Sequence, residues 1–187
     1  ISKYKIIFSG VGKRDDEIRE ALNLDILLIN LESEEEMKRV EAVASELGKI
    51  ARISIRVNPN IDAKTHPYIS TGLHDNKFGV EIDMAKRMYI YAKKSSFLNP
   101  VGIHFHIGSQ ITELEPISEA CSIVADLAHT LKALEIDIKF FDVGGGIGVV
   151  YDEETTININ KIIFLTILYY SLINFNGHDC IVGVFIF

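Results

Sequence analysis

The sequence has few cysteines and no run of basic residues. Its 187 residues include two cysteines, Cys121 and Cys180, whose wide separation fits neither a disulfide framework nor a zinc-binding spacing. We therefore expect a protein of the reducing cytoplasm. The formal net charge is −7, which argues against a nucleic-acid-binding surface. No signal peptide opens the chain, and its first residue is Ile1 rather than Met, so we expect the native N-terminus to lie upstream.

A hydrophobic run long enough to cross a membrane is also missing. The apolar stretch Ile162–Phe175 is too short to span a bilayer comfortably, and we predict no membrane partner. After Glu154, the only formal side-chain charges are those of Lys161 and Asp179. Two interpretations stay open for this stretch: a buried barrel helix, or sequence that is out of frame. We delimit this aberrant or out-of-frame tail as residues 157–187.

What the sequence does contain is a repeated alternation of strand and helix patterns. Five short apolar runs are typical of strands: Tyr4–Phe8, Ile26–Asn30, Ile50–Val57, Val101–Ile111 and Lys139–Val143. Between them, apolar residues recur at helical spacing, and Ser33 followed by Glu36 predicts a capping box at the start of the second helix. Five β/α units with continuous apolar strands predict an α/β fold, in which helices cover a parallel sheet.

Closed barrels and open doubly wound sheets both fit this order of elements. We favour about five β/α units of a (β/α)8 TIM barrel, because Arg56, His104 and His106 place inward polar groups at the ends of different strands. A dinucleotide-binding fold would carry its glycine fingerprint after the first strand. The glycine run of this chain follows the fifth predicted strand instead.

The run Val101–Ile111 is the strand around which the candidate site is organised. Alternation along a strand places Gly102, His104 and His106 on one face. The other face carries Val101, Ile103, Phe105 and Ile107. His-x-His is a metal-ligand spacing, as in metal-dependent barrel hydrolases, although no Asp or Glu with obvious ligand spacing lies nearby. Alternatively, one imidazole lies flat against a cofactor ring, or the histidines are satisfied core residues.

Three further features carry polar groups that the fold class alone does not explain. Gly144–Gly146 leave backbone amides open to a phosphate, although a tight turn without a ligand also explains them. Arg56 ends its strand on the inward face and needs an anionic partner there, which could be a phosphate, a carboxylate or Asp142. Lys77 lies in the long loop 58–79 and is a solvated charge by default.

Five segments together resemble the fold type III pyridoxal-phosphate decarboxylases, whose barrel is of the alanine racemase type. They are FSGVGK (Phe8–Lys13), RVNPNIDAKTHPYISTG with NKFG (Arg56–Gly79), GIHFHIGSQ (Gly102–Gln110), DVGGGIG (Asp142–Gly148) and the following Tyr151. Within that family, the long loop and the His-Ile-Gly-Ser-Gln ending are most similar to the branch that acts on meso-diaminopimelate. The resemblance covers roughly residues 4–156.

The resemblance implies a role for each matching residue. His106 would stack on the pyridine ring of the cofactor, and Ser109 with the Gly144–Gly146 amides would hold its phosphate. Arg56 would help to order the cofactor pocket, and Lys77 matches a lysine that relatives use near the dimer interface. The implied reaction is the pyridoxal-phosphate-dependent decarboxylation of meso-diaminopimelate at its D-configured centre to give L-lysine, carried out by a cytoplasmic homodimer.

The chain departs from the family pattern in three places. The lysine that forms the Schiff base is expected upstream, and no lysine of this chain occupies its motif, so we predict no catalytic residue here. A Glu-Pro-Gly-Arg segment expected after the fifth strand and the C-terminal β-domain are also absent. We therefore expect a central piece of the enzyme, with residues 1–156 forming part of the barrel. The alternatives are a related decarboxylase of ornithine, arginine or carboxynorspermidine, a metal-dependent barrel hydrolase, and an inactive remnant.

Overall fold

The computed structural model describes residues 2–61, 78–148 and 157–173. Within these ranges, five strands alternate with helices. The strands are β1 (Ile7–Phe8), β2 (Leu28–Leu31), β3 (Ala51–Arg56), β4 (Leu98–His104) and β5 (Phe140–Asp142). The helices are α1 (Asp15–Leu24), α2 (Glu34–Glu46), α3 (Ile82–Lys94), α4 (Leu114–Ala133) and α5 (Ile159–Ile173), and a short 3-10 helix, Lys3–Lys5, precedes β1.

The described strands lie side by side in the order of the sequence. The sheet runs β1-β2-β3-β4-β5, and every neighbouring pair is parallel. Neighbouring units of a (β/α)8 barrel have this order, so the prediction of a partial barrel is confirmed. A doubly wound sheet reverses its strand order at a switch point, and the strands in the described ranges show no such reversal.

The hydrophobic core lies between the sheet and its helices. Ile53 and Ile55 of β3 and Ile103 of β4 are fully buried. The helices contribute further buried side chains to the same core, among them Ile18, Met37, Val40, Met88, Tyr89 and Val124. This burial explains why apolar residues recur at helical spacing between the strands, because each helix turns one apolar stripe towards the sheet.

The opposite face of the sheet carries polar residues in neighbouring positions. Arg56 of β3 lies next to His104 of β4, and His104 lies next to Asp142 of β5. One layer deeper, Asn30 of β2 lies next to Ser54 of β3. The inward polar groups predicted for the strand ends are therefore brought together where the parallel strands end.

Strand β4 contains a bulge in its pairing with β3. Ile53 pairs with Pro100, whereas the next residue, Ser54, pairs with Gly102. Val101 is therefore an extra residue without a partner in the register. Proline cannot donate a ladder hydrogen bond, and within sheets it is found at such irregularities. The bulge shifts the alternation of side chains by one residue along the rest of the strand.

The bulge corrects one prediction about the faces of this strand. Val101 was expected to share the helix-facing side with Ile103 and Phe105. Instead it packs in a separate inward cluster with Leu27 and Leu28, whereas Ile103 and Phe105 belong to the main core. The predicted strand is also too long, because β4 ends at His104 and the following residues form the connection to α4.

The last described helix, α5, packs against α4. Ile162 and Thr166 of α5 are buried, whereas Phe164 and Ile167 are exposed. Among the described residues, no helix combines the length and the apolar composition needed to span a membrane. The assignment of residues 157–187 to a separate, aberrant tail stays a prediction.

Candidate cofactor site

A cleft of about 570 Å³ opens at the carboxyl ends of the strands. Segments at the ends of β1 to β4 and the segment after β5 all contribute to its walls. The polar residues that line it include Ser9, Glu32, Arg56, His104, His106 and Ser109, together with the glycine loop Gly144–Gly146. Its volume lies in the range of small-molecule sites, and this end of a (β/α)8 barrel is where such enzymes place their chemistry.

All the site residues predicted within the described ranges line this cleft. Arg56, His106, Ser109 and Gly144–Gly146 come from three separate parts of the chain and meet there. Ser109 is exposed to the cleft, whereas His106 is half-buried. Lys77, which was predicted to lie near a dimer interface, falls outside the described residues.

His106 is held by the glycine loop that faces it. The backbone N–H of Gly145 donates to Nδ1 of His106 across 3.2 Å. Since Nδ1 accepts this hydrogen bond, the ring hydrogen of the neutral imidazole must sit on Nε2. Burial, followed by the positive charge of Arg56 and by His104, lowers the pKa of His106 below its ordinary value. The site therefore presents a neutral imidazole whose Nε2 carries the ring hydrogen.

Two residues of the glycine loop must be glycine for reasons of conformation and space. Gly144 has φ +70°, and an added Cβ would lie 2.6 Å from the carbonyl oxygen of Phe105. Gly146 has φ +90°, and its added Cβ would overlap the carbonyl oxygen of Gly108. L-residues rarely adopt such φ values, so this loop packs against the segment after β4 only because both side chains are missing.

The amides of the glycine loop are not equally available to a ligand. Gly144 N–H donates to Oδ1 of Asp142 at 2.9 Å, and the Gly145 amide is engaged by His106. Within the described ranges, the Gly146 N–H donates to no other residue. An anion that enters the cleft therefore meets the Gly146 amide as the available donor of this loop.

Arg56 has a different partner from the one considered in the sequence. Its Nη1 donates to both carboxylate oxygens of Glu32, at 2.9 and 3.2 Å, and the two side chains are 12% and 7% exposed. The alternative pairing with Asp142 is wrong, because β4 separates β3 from β5. In the described parts of the chain, the buried Nε of Arg56 has no hydrogen-bond partner, which leaves one donor unused beside the cleft.

Asp142 lies beside His104 and Asn30 instead. Its Oδ2 lies 3.0 Å from Nδ1 of His104, although the direction of the ring N–H does not make this contact a hydrogen bond. Nδ2 of Asn30 approaches the same oxygen at 3.4 Å and donates to Oγ of Ser9 at 2.6 Å. Asn30 and Ser9 were not singled out in the sequence, since a single polar residue in an apolar run carries no distinctive pattern.

Sequence reasoning also missed Lys13, which is buried at 3% exposure. Its Nζ donates to the carbonyl oxygens of Gly10 and Asn30, both at 2.6 Å, and to the Glu36 carboxylate at 3.0 and 3.1 Å. A lysine in a loop is usually solvated, so the sequence around Lys13 gave no reason to expect that its side chain is buried. The signal was its place at the end of the FSGVGK segment.

The predicted capping box is half right. Oγ of Ser33 accepts from the N–H of Glu36 at 3.1 Å, as predicted. The Glu36 carboxylate, however, accepts from the N–H of Glu32 at 2.8 Å instead of closing the box on the Ser33 amide. The Glu36 carboxylate points away from the Ser33 amide because it pairs with the buried ammonium group of Lys13.

The His-x-His spacing does not develop into a metal site where the structure can be described. Among those residues, no group of three or more His, Cys, Asp or Glu side chains is arranged to hold a metal ion. His104 lies beside Asp142, and His106 accepts from a backbone amide. The two imidazoles therefore have separate partners, and the metal-dependent hydrolase gains no support from the geometry.

The chain is similar to known proteins along most of its length. A family model described as the pyridoxal-dependent decarboxylase, pyridoxal binding domain, matches residues 1–178. The diaminopimelate decarboxylase of Campylobacter jejuni is 69% identical over 150 residues, which are 80% of this chain and 37% of that protein. The diaminopimelate decarboxylase of Helicobacter pylori strain J99 is 62% identical over 159 residues, which are 85% of this chain and 39% of that protein.

Solved structures of diaminopimelate decarboxylases share the fold of this chain. The structure of diaminopimelate decarboxylase from Helicobacter pylori, complexed with L-lysine, has a TM-score of 0.87 at 54% identity and matches 97% of this chain and 45% of its own. The enzyme from M. jannaschii, also with L-lysine, has a TM-score of 0.85 at 31% identity and matches 99% and 43%. The chain thus spans less than half the length of these relatives. It belongs to the pyridoxal-dependent decarboxylase family, through the pyridoxal binding domain.

Proposed function

We propose that this chain forms the ring-stacking and phosphate-binding side of a pyridoxal phosphate site, in an enzyme that decarboxylates meso-diaminopimelate to L-lysine. One observation carries the proposal: a stacking candidate, His106, and an anion-binding loop, Gly144–Gly146, face one cleft and are joined to each other. The identity of 69% to a diaminopimelate decarboxylase supports the choice of substrate.

The cleft fits the phosphate of this cofactor. The Gly146 amide is available among the described residues, and the exposed Ser109 lines the same cleft as the glycine loop. Amides in such concave loops and short hydroxyl side chains are typical phosphate ligands. Ser109 and Gly146 would therefore hold the phosphate, whereas Gly144 and Gly145 shape the loop.

The cleft also fits the pyridine ring. His106 is neutral and half-buried, so its face can pack on an aromatic ring without the cost of burying a charge. Arg56 is already neutralised by Glu32 and keeps its Nε donor for an oxygen of the ligand. When bound, pyridoxal phosphate supplies the electron sink for decarboxylation, and these residues bind and orient it.

Lys13 cannot be the lysine that binds the cofactor covalently. A lysine must present a free amine to act as a nucleophile, but the Lys13 ammonium is fully engaged by Glu36 and two carbonyl oxygens. The contacts of Lys13 therefore assign it a structural place beside the cleft and not the covalent role. A cytoplasmic homodimer, with Lys77 near its interface, is the assembly that we propose for the whole enzyme.

The test is a hybrid enzyme. The 150-residue segment of this chain that matches the Campylobacter jejuni diaminopimelate decarboxylase replaces the corresponding segment of that enzyme. We expect the hybrid to bind pyridoxal phosphate and to release carbon dioxide from meso-diaminopimelate. The matched control is the unmodified Campylobacter jejuni enzyme.

Substrate choice is measured in the same hybrid. A site that binds a distal ammonium and carboxylate leaves those groups unpaired with a simpler substrate, and such penalties reach about 10⁴-fold. We therefore expect a large preference over ornithine, arginine and carboxynorspermidine. Comparable rates on ornithine would favour the related polyamine branch, and a hybrid that is folded but binds no pyridoxal phosphate would overturn the proposal.

A further inference from the structure

Lys13 is a buried cation whose contacts lead to residues that line the cleft. Building on the proposed function of that cleft, we propose that Lys13 is a positioning residue of the cofactor site. Together with Glu36 it holds the backbone of Glu32, and through the Glu32 carboxylate it orients the guanidinium of Arg56. Nothing in the proposed binding of phosphate and ring requires such a role.

The first step is the way in which Lys13 joins three elements. Its Nζ reaches Gly10 in the loop after β1, Asn30 in β2, and Glu36 in the first turn of α2. An ammonium group has three hydrogens, so these contacts engage all of them. Gly10 lines the cleft, and the loop that carries it is therefore fixed relative to β2 by a side chain rather than by a strand ladder.

The second step leads from Glu36 to Arg56. The Glu36 carboxylate accepts the backbone N–H of Glu32 at 2.8 Å, and Glu32 in turn grips Arg56 through both oxygens. The side chains of Glu36 and Glu32 are 8% and 7% exposed. Charges in such a dry setting interact strongly and polarise one another, so a change at Lys13 is transmitted to the guanidinium.

A purely stabilising role makes a different prediction. Replacing both partners of a buried ion pair by apolar residues is often neutral for stability, so the pair can be removed without unfolding the chain. If Lys13 only stabilises the fold, that replacement leaves ligand binding unchanged. If Lys13 positions Arg56, the replacement weakens ligand binding even where the fold is intact.

The experiment uses the full 187-residue chain with the double replacement Lys13→Met/Glu36→Met. The matched control is Arg52→Met, which removes another cation of β3 that donates to Leu27 O and to Asp25 at the opposite end of the strand. Pyridoxal phosphate binding is followed by fluorescence titration, alongside thermal unfolding. We expect the dissociation constant to rise on the order of tenfold in the double variant, and to stay within about twofold of the parent in the control.

The coupling to Arg56 is measured by repeating the double replacement in an Arg56→Gln background. If Lys13 acts through Arg56, its removal there has little further effect on the dissociation constant, so the two changes are not additive. Additive losses, or an equal loss in Arg52→Met at the same melting temperature, would overturn the proposal.

A second readout separates this proposal from the proposed function. The ¹⁵N resonance and hydrogen exchange of Arg56 Nε–H are recorded without any ligand. We expect both to change in Lys13→Met/Glu36→Met and not in Arg52→Met. The proposed function fails if the folded hybrid enzyme binds no pyridoxal phosphate, whereas this ligand-free measurement decides the role of Lys13 by itself: an unchanged Arg56 signal would refute it.

Discussion

The amide of Gly145 and the imidazole of His106 form one unit, in which the Gly145 N–H donates to His106 Nδ1 across 3.2 Å. The loop after β5 and the segment after β4 are thereby joined at the cleft. Because this hydrogen bond sets the tautomer of the ring, the contacts that we propose for the phosphate and for the pyridine ring of the cofactor are not independent. A change in the loop that leaves His106 in place still disturbs the stacking surface.

The two histidines should differ in their effect on the cofactor. His106→Ala removes the stacking face, and we expect the dissociation constant of pyridoxal phosphate to rise on the order of tenfold. His104→Ala acts deeper, beside Asp142, and we expect it to lower the melting temperature with a smaller change in affinity. Titration and thermal unfolding of both variants check this. An equal or larger loss of affinity in His104→Ala would contradict the assignment of the stacking residue.

The glycine loop should tolerate an added methyl group at one position and not at another. Gly146→Ala forces a Cβ into the Gly108 carbonyl at a φ of +90°, so we expect a loss of pyridoxal phosphate binding. Gly148→Ala serves as the control, because its added Cβ lies 3.1 Å from Thr112 Cγ2 and 3.2 Å from the Ile111 carbonyl oxygen, tight contacts but without the overlap found at Gly146. We expect a milder effect there. An unchanged cofactor titration in Gly146→Ala would show that the loop is only a turn.

The free energy of unfolding should decrease as the pH is lowered, because His106 titrates. Burial and then the charge of Arg56 depress the pKa of His106 in the folded chain below its ordinary value of 6.5. As the pH falls below about 6.5, the unfolded chain takes up this proton first, so the free energy of unfolding decreases, and it is recovered above that pH. Urea denaturation at about pH 7.5 and about pH 5.5 should show a smaller difference in His106→Gln than in the parent. An identical difference in both would contradict the depressed pKa.

Breaking the Arg56–Glu32 pair should cost more than breaking a surface pair. Arg56→Met leaves the Glu32 carboxylate buried without its partner, and such a loss is worth about 3 kcal/mol of unfolding free energy. The control is Arg39→Met, whose partner Asp15 is 61% exposed, and surface pairs of this kind contribute little. Urea denaturation without cofactor measures both. Equal losses in the two variants would show that solvent screens the Arg56 pair.

The order of the elements could be predicted because it rests on local periodicity. Each strand and helix carries its own apolar pattern, and sequential β/α units leave few arrangements. The partner of Arg56 could not be predicted in the same way, since it depends on which strands are neighbours. The predicted hydrogen bond from the Ser33 N–H to the Glu36 carboxylate was wrong for a related reason. The local pattern contains no sign that Lys13, 23 residues upstream of Glu36, contacts the same carboxylate.

Because β4 contains an extra residue, the inward direction of the site side chains does not depend on how the strand begins after α3. Before Val101, side chains alternate between the two faces of the strand so that Leu98 faces the helices. A new alternation begins at Gly102. Whether His104 points inward is therefore counted from Gly102, not from the end of α3. Insertions in the turn between α3 and β4 can be absorbed there without rotating either imidazole. A deletion of Val101 itself would remove the extra residue and leave Pro100 followed by Gly102 in regular alternation, so His104 would keep its inward direction.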